Sequence, residues 1–296
     1  MGFLVWAFSM GLLEKKGLEQ TGSEPKERYP QARRPLIFRM LALLAAIYSG
    51  FALYVFFFAD GMIFLPPAVG YEHTPEQDET AVLLTASDGN TIAARYLHNP
   101  NSRITILFSH GNASDLGSIL PNLQLLRDAG YSVFAYDYPG YGHSTGKPTE
   151  GGTYRAIEAA YAYLTTELKI APETIVAYGQ SVGGGPSTFL AANEPLGGLI
   201  LQSTFATVFQ VVVPFRILPF EKFPTVKRID RIDCPLLLIH GTQDRTIPFS
   251  HSEELLAAAV APKQLVPIVG ADHNDILWVD GVTYLESIES FISGLE

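Results

Sequence analysis

Residues 174–185 read Thr-Ile-Val-Ala-Tyr-Gly-Gln-Ser-Val-Gly-Gly-Gly. The first five form a short β-branched and aromatic run that ends on glycine, which is the pattern of a buried strand. From Gly184 onward the residues are small and suit a helix packed tightly against its neighbours. Between the two, Gly179-Gln180-Ser181-Val182-Gly183 carries the spacing Gly-x-Ser-x-Gly. In that pattern a serine stands on a strained turn from strand to helix, and the flanking positions must be small. The pentapeptide alone arises often by chance. The strand before it and the helix after it make Ser181 a candidate nucleophile at the carboxyl end of a strand.

Working outward, short apolar runs alternate with helix-like stretches along the body of the chain. Ala81–Ala86 and Thr91–Leu97 flank Asp88-Gly89-Asn90, a hairpin signal. Strand-like runs follow at Ile104–Ser109, Tyr131–Tyr136, Thr174–Tyr178, Gly198–Gln202, Pro235–His240 and Gln264–Val269. Amphipathic stretches lie between most of them, at Ile119–Ala129, Tyr154–Leu168, Gly184–Ala192, Ser252–Ala259 and Val282–Ile292. An opening hairpin followed by repeated strand–helix units predicts an α/β fold: a mostly parallel, eight-stranded sheet with helices on both faces and right-handed crossovers. Sites in such sheets form at the carboxyl ends of the strands.

A serine hydroxyl is a poor nucleophile at neutral pH and needs a base with an orienting acid. Asp244 follows the strand Pro235–His240 by one short loop, and His273 follows Gln264–Val269 in the same way. The order serine, acid, histidine is the one this strand–turn–helix pattern carries. His273 is expected to take the Ser181 proton, and Asp244 to hold the imidazole tautomer and stabilise its cation. Asp272 and Asp275 flank His273 too closely to reach its ring well, and Asp137 reads as structural. A developing oxyanion needs two backbone N–H donors. Val182, next to the nucleophile, supplies one expected donor. The loop Ser109-His110-Gly111-Asn112-Ala113-Ser114 supplies the other, at Asn112, with Gly111 allowing close approach and His110 bracing the loop. Asn112-Ala113-Ser114 is also a glycosylation sequon, discounted because a glycan there would block the site.

Composition narrows the classes. With 47% apolar and 17% charged residues, the 296-residue chain can bury a large core. Residues 1–67 carry seven Lys/Arg and five Asp/Glu, whereas 68–296 carry thirteen and twenty-five. An acidic body argues against a nucleic-acid partner, which wants a basic footprint. Cys234 is the only cysteine, so no intrachain disulfide forms; before an apolar run it reads as a small buried residue. The histidines lack zinc-type spacing, and neither a metal nor a cofactor is expected.

Residues 40–59, MLALLAAIYSGFALYVFFFA, hold twenty positions without a charge. As a helix that is about 30 Å, the thickness of a bilayer core. A buried soluble helix would show a polar stripe, and here only Ser49 and the tyrosines interrupt. Arg33-Arg34 faintly resembles a twin-arginine export signal, but the apolar stretch is longer than a signal core and no cleavage site follows. An uncleaved transmembrane helix over 40–62 is expected, after an N-terminal segment 1–39 and before a catalytic domain over 68–296. Arg28, Arg33, Arg34 and Arg39 precede the span, and no Lys or Arg follows until Arg95. The positive-inside rule then puts the N-terminus in the cytoplasm and the body on the other side. Residues 1–13 are apolar but too short to span, Trp6 breaks a myristoylation pattern, and 14–35 read as a linker.

The segments Leu107-Phe108-Ser109-His110-Gly111-Asn112, Tyr136-Asp137-Tyr138-Pro139-Gly140-Tyr141-Gly142, Tyr178-Gly179-Gln180-Ser181, Ile239-His240-Gly241-Thr242 and Asp272-His273-Asn274-Asp275 together resemble the α/β-hydrolase-domain serine hydrolases. The nearest subgroup is the membrane-associated one that includes protein depalmitoylases and single-pass anchored relatives. The resemblance covers roughly residues 80–293. It implies the α/β-hydrolase fold, Ser181, Asp244 and His273 as triad, Asn112 and Val182 as oxyanion donors, and hydrolysis of an ester or thioester. Depalmitoylase members attach through a palmitoylated, cysteine-rich N-terminus, whereas this chain has no N-terminal cysteine. The resemblance therefore carries the bond class further than the substrate.

The expected activity is a membrane-anchored hydrolase acting on an acyl ester, thioester or lipid-like small substrate. A serine peptidase of the same fold is the alternative, and a non-catalytic interaction protein is disfavoured because no triad position is lost. Thr204–Ile229 holds Phe205, Phe209, Phe215, Phe220 and Phe223. Such a stretch either forms a short lid over 204–229, suited to acyl chains, or simply covers the core.

Overall fold

The computed structural model describes residues 34–70, 78–213 and 215–295. The expectations for residues 1–33, including the apolar start and the linker, lie outside the described residues. The chain divides into two units at Ser49/Gly50. In the first, the described residues are the opening turns of helix α1, which runs over Arg34–Ile63. Its side chains from Leu36 to Ser49 are all exposed. α1 begins earlier than the expected span because Pro35, next to its first residue, has the fixed φ that a first helical turn favours. Leu36–Ile63 is long and apolar enough to cross a membrane.

The second unit holds the rest of α1 and the body. Eight strands form one sheet in the order β1-β2-β4-β3-β5-β6-β7-β8. They are β1 (Ala81–Thr85), β2 (Thr91–Leu97), β3 (Thr105–Ser109), β4 (Ser132–Tyr136), β5 (Ile175–Gln180), β6 (Gly198–Gln202), β7 (Leu236–Gly241) and β8 (Lys263–Ile268). β1 and β2 pair antiparallel around the Asp88-Gly89-Asn90 turn, and β2 pairs antiparallel with β4. The remaining pairings are parallel. The α/β-hydrolase fold expected from the sequence is present, with its mostly parallel eight-stranded sheet.

Alternation along β5 shows how the two faces are covered. Val176 and Tyr178 point into a cluster with Leu123 and Leu126 of α2 (Leu120–Asp128) and with Tyr284 and Ile288 of α7 (Ile276–Ser293). Ile175 joins a cluster on the opposite face with Ala156 and Ile157 of α3 (Glu150–Ala162) and Leu190 of α4 (Gly184–Ala191). Ala177 packs on that side with Leu255 of α6 (Ser250–Ala258). Each fully buried leucine or isoleucine stabilises by about 1.5–3 kcal/mol relative to exposure.

The structure differs from the sequence reading at three places. α3 starts at Glu150 rather than Tyr154, because the Thr149 side chain caps the Gly152 N–H at 2.9 Å and offsets the helix-weakening Gly151-Gly152 pair. It then passes into a wider turn over Tyr163–Glu167. α7 starts at Ile276 and kinks at Asp280 (φ −153°, ψ 70°), so its first turns lack the clean periodicity of 282–292. Cys234 is only partly buried rather than fully enclosed.

The stretch 204–229 is irregular apart from α5 (Val208–Val212) and two short turns. Its aromatics have divided roles. Phe205 and Phe223 are buried in the core beside α3 and α4. Phe209 and Phe220 instead pack with Leu218 on Val55 and Ala59 of α1.

Candidate active site

Ser181 leaves β5 with φ +53°, a left-handed conformation unusual for a non-glycine residue and costing about 1–3 kcal/mol. The surroundings hold it there. A Cβ on Gly183 would overlap the Ser109 carbonyl oxygen, so α4 can approach β3 only with glycine at that position. From behind, the Thr204 hydroxyl donates to the Ser181 carbonyl at 2.8 Å. Strain and close packing together aim the hydroxyl outward from the end of the sheet.

The three residues expected to act together converge there from three strand ends. His273 Nε2 lies 3.0 Å from Ser181 Oγ, and His273 Nδ1 lies 2.7 Å from Asp244 Oδ2. Asp244 is buried, and its other oxygen accepts the N–H groups of Thr246 at 2.8 Å and Ile247 at 2.7 Å. Burial works to raise the Asp244 carboxyl, but hydrogen bonds from His240, His273 and the Ile247 N–H outweigh it and hold it well below the usual carboxylate range. An ionised carboxylate only accepts, so His273 carries its proton on Nδ1 and leaves Nε2 free to accept from Ser181.

The rival acids point elsewhere. Asp272 pairs with the Arg245 guanidinium and accepts the backbone N–H of His273 at 2.8 Å, away from the ring. Asp275 accepts the Asp272 N–H at 2.6 Å. Asp137 is buried and accepts the Leu116 N–H at 3.0 Å. His110 is fully buried against Tyr138, whose hydroxyl donates to the His110 carbonyl at 2.6 Å.

Asn112 and Val182 both line the cavity of about 360 Å³ that contains Ser181 and His273. The Asn112 side chain holds its loop in place. Its Oδ1 accepts the Leu65 N–H at 3.0 Å and the Tyr141 hydroxyl at 2.7 Å, and its Nδ2 donates to the Ile63 carbonyl at 2.6 Å. With its amide so engaged, Asn112 offers nothing to a glycan.

Three residues of the site carry no role in the sequence reading. His240, fully buried, approaches Asp244 Oδ2 at 3.1 Å with Nε2, while its Nδ1 meets Ser252 Oγ at 2.6 Å. Asp244 therefore sits between two imidazoles. The only signal was the His240-Gly241 dipeptide itself. Met62 and Ile63, at the end of α1, form part of the cavity wall, and no periodicity in the sequence announces that. Among the described residues, no three His, Cys, Asp or Glu side chains gather as a metal ion would require.

Comparison with known proteins agrees with this geometry at the level of fold. A family model described as alpha/beta hydrolase fold matches residues 104–226. The human alpha/beta hydrolase domain-containing protein 17B is 40% identical over 223 residues, which are 74% of this chain and 77% of that protein. The Caenorhabditis elegans alpha/beta hydrolase domain-containing protein aho-3 is 41% identical over 196 residues, 65% of this chain and 58% of that protein. Among solved structures, the Pyrococcus furiosus esterase Pf2001 superposes with TM-score 0.66 at 21% identity, over 77% of this chain and 98% of its own. Est1E from Butyrivibrio proteoclasticus, solved with ferulic acid bound, superposes with TM-score 0.59 at 20% identity, over 72% and 100%.

Proposed function

We propose that this chain, which belongs to the α/β-hydrolase family, is a membrane-anchored serine hydrolase that cleaves carboxylic esters or thioesters of acyl substrates. The observation that carries the proposal is the unbroken relay from Ser181 Oγ through His273, at 3.0 Å, to the buried Asp244, at 2.7 Å. In this reading His273 Nε2 takes the hydroxyl proton as Oγ attacks the acyl carbonyl. The oxyanion is received by the N–H groups of Asn112 and Val182. The tetrahedral intermediate collapses, the leaving alcohol or thiol takes the proton from His273, and an acyl-Ser181 ester remains. Water, deprotonated by His273, then releases the acid and restores the serine.

The esterase neighbours favour an ester-type bond over an amide, and the apolar part of the cavity lining, with Phe205, Val208 and Val211, favours an acyl group. The test is a substrate profile of acyl p-nitrophenyl esters, acyl thioesters and aminoacyl amides on the full-length protein. Esters or thioesters are expected to lead, with Ser181→Ala inactive. Preference for aminoacyl amides would turn the assignment to a peptidase. Arg28, Arg33, Arg34 and Arg39, which precede the uncharged span 40–59, argue in this reading for a cytoplasmic N-terminus. In sealed vesicles with the cytoplasmic face outward, added protease should spare the body; its digestion there would reverse the topology.

A further inference from the structure

The body-proximal end of α1 does more than tether. Phe51, Val55, Ala59 and Met62, spaced at helical intervals, border an apolar groove of about 400 Å³. The facing wall comes from the stretch after β6. Phe220 meets Phe56 of α1 edge-on at 5.3 Å and Phe209 at 5.9 Å, and Leu218 packs with Val55 and Ala59. Four charged side chains border the groove, and three of them pair together: Arg216 and Lys227 both reach Glu221, at 3.4 Å and 3.0 Å, and Glu254 is the fourth. One further ion pair, Lys222 to Asp60 at 2.9 Å, fastens this stretch to the last turn of α1.

Two features give the groove a direction. It adjoins the cavity holding Ser181 and His273, sharing Met62, Ile63, Val208 and Val212 with it. Its outer lip is exposed, Val212 at 82% and Phe215 at 65%, and Phe56, Phe57 and Phe58 of α1 are exposed as well. So large an apolar surface is unfavourable in water and natural against hydrocarbon, the medium that a membrane-crossing α1 supplies.

We propose that this groove is the acyl-chain subsite of the enzyme, and that it draws a long-chain acyl ester or thioester sideways from the bilayer, between α1 and the stretch 208–220, until the carbonyl reaches Ser181. This rests on the hydrolase reading above. The helix face from Phe51 to Ile63 rises about 18 Å, room for an extended long chain, whereas a short acyl group reaches only the shared residues. The volume lies within the usual range of ligand pockets, about 300–1,000 Å³. Because recognition is of the chain, a glyceride and an S-acylated peptide present the same chemistry to the groove.

The test uses the full-length protein in phosphatidylcholine vesicles. Val55→Trp fills the groove from a position outside the cavity around Ser181. The ratio of kcat/KM for palmitoyl over butyryl thioester should fall at least tenfold relative to wild type, and an unchanged ratio overturns the subsite. A second measurement needs no turnover. In Ser181→Ala protein, a palmitoyl ester with a diazirine at its chain end should crosslink within residues 51–63 or 208–220. Crosslinks confined to other segments, while wild type hydrolyses both thioesters, remove the subsite and leave the hydrolase reading standing. If wild type hydrolyses no acyl substrate, the hydrolase reading falls and the subsite with it. Running the assay with a palmitoyl glyceride and with an S-palmitoyl peptide separates the two sources, and faster turnover of either keeps the groove as the acyl site.

Discussion

Replacing Asp244 with asparagine changes almost no volume, yet the surroundings of that side chain predict a large effect. Oδ1 accepts two backbone N–H groups, from Thr246 at 2.8 Å and Ile247 at 2.7 Å, so the amide oxygen of Asp244→Asn is compelled to face them. The amide nitrogen then faces His273 Nδ1, at the position where the wild-type carboxylate oxygen stands 2.7 Å away. Two donors cannot pair, so the imidazole moves its proton to Nε2 and offers Nδ1 as acceptor. Nε2 then has no lone pair for the Ser181 hydroxyl. The imidazolium formed during attack also loses the adjacent negative charge. The expected loss in kcat is about 10³- to 10⁴-fold, or about 4–5 kcal/mol of transition-state stabilisation, with KM little changed. Steady-state hydrolysis of p-nitrophenyl butyrate by folded variant and wild type measures it. A loss under tenfold would refute the tautomer argument and with it the assignment of Asp244.

Other expectations follow from the same contacts. Removing the Nε2 donor in His240→Ala strips a hydrogen bond from a buried carboxylate, worth about 1.5–3 kcal/mol; kcat should drop tenfold or more with KM unchanged, and an unaltered kcat would deny His240 a positioning role. Gly183→Ala drives a methyl into the Ser109 carbonyl oxygen, and overpacking of this kind costs about 1–3 kcal/mol; thermal melts should fall and probe labelling of Ser181 should slow, whereas a wild-type melt with full labelling would contradict the elbow geometry. The depressed carboxyl of Asp244 makes its stabilisation fully present above the ordinary carboxylate value of about 3.9 and lost as pH falls through the lower folded value. Urea melts should therefore show wild type more stable than Asp244→Asn at neutral pH, with the gap closing only below about pH 4; a gap that widens on acidification would reverse the sign.

Much of the fold was legible because its signals are local. Strand β5, the glycines around Ser181 and the loops after β7 and β8 each lie within a few residues, so residue type and chain order sufficed to nominate Ser181, Asp244 and His273. The sheet order, with β3 inserted between β4 and β5, left no local trace. Helix starts were misplaced where a cap overrode propensity, as Thr149 does before Gly151-Gly152. The larger omission lies at the end of α1. Twenty uncharged residues announce a membrane span, but nothing in them says that Met62 and Ile63 wall the cavity or that Asn112 is pinned to the Ile63 carbonyl and the Leu65 N–H. Those contacts join residues 47 and 49 positions apart, and only the folded chain brings them together.

The activation of Ser181 by His273 is tested most directly by reaction of the full-length protein with a fluorophosphonate, followed by peptide mass mapping. A single adduct on the peptide containing Ser181 is expected in wild type and none in Ser181→Ala. Folded wild-type protein that takes no label, or that carries its label on another residue, would contradict it.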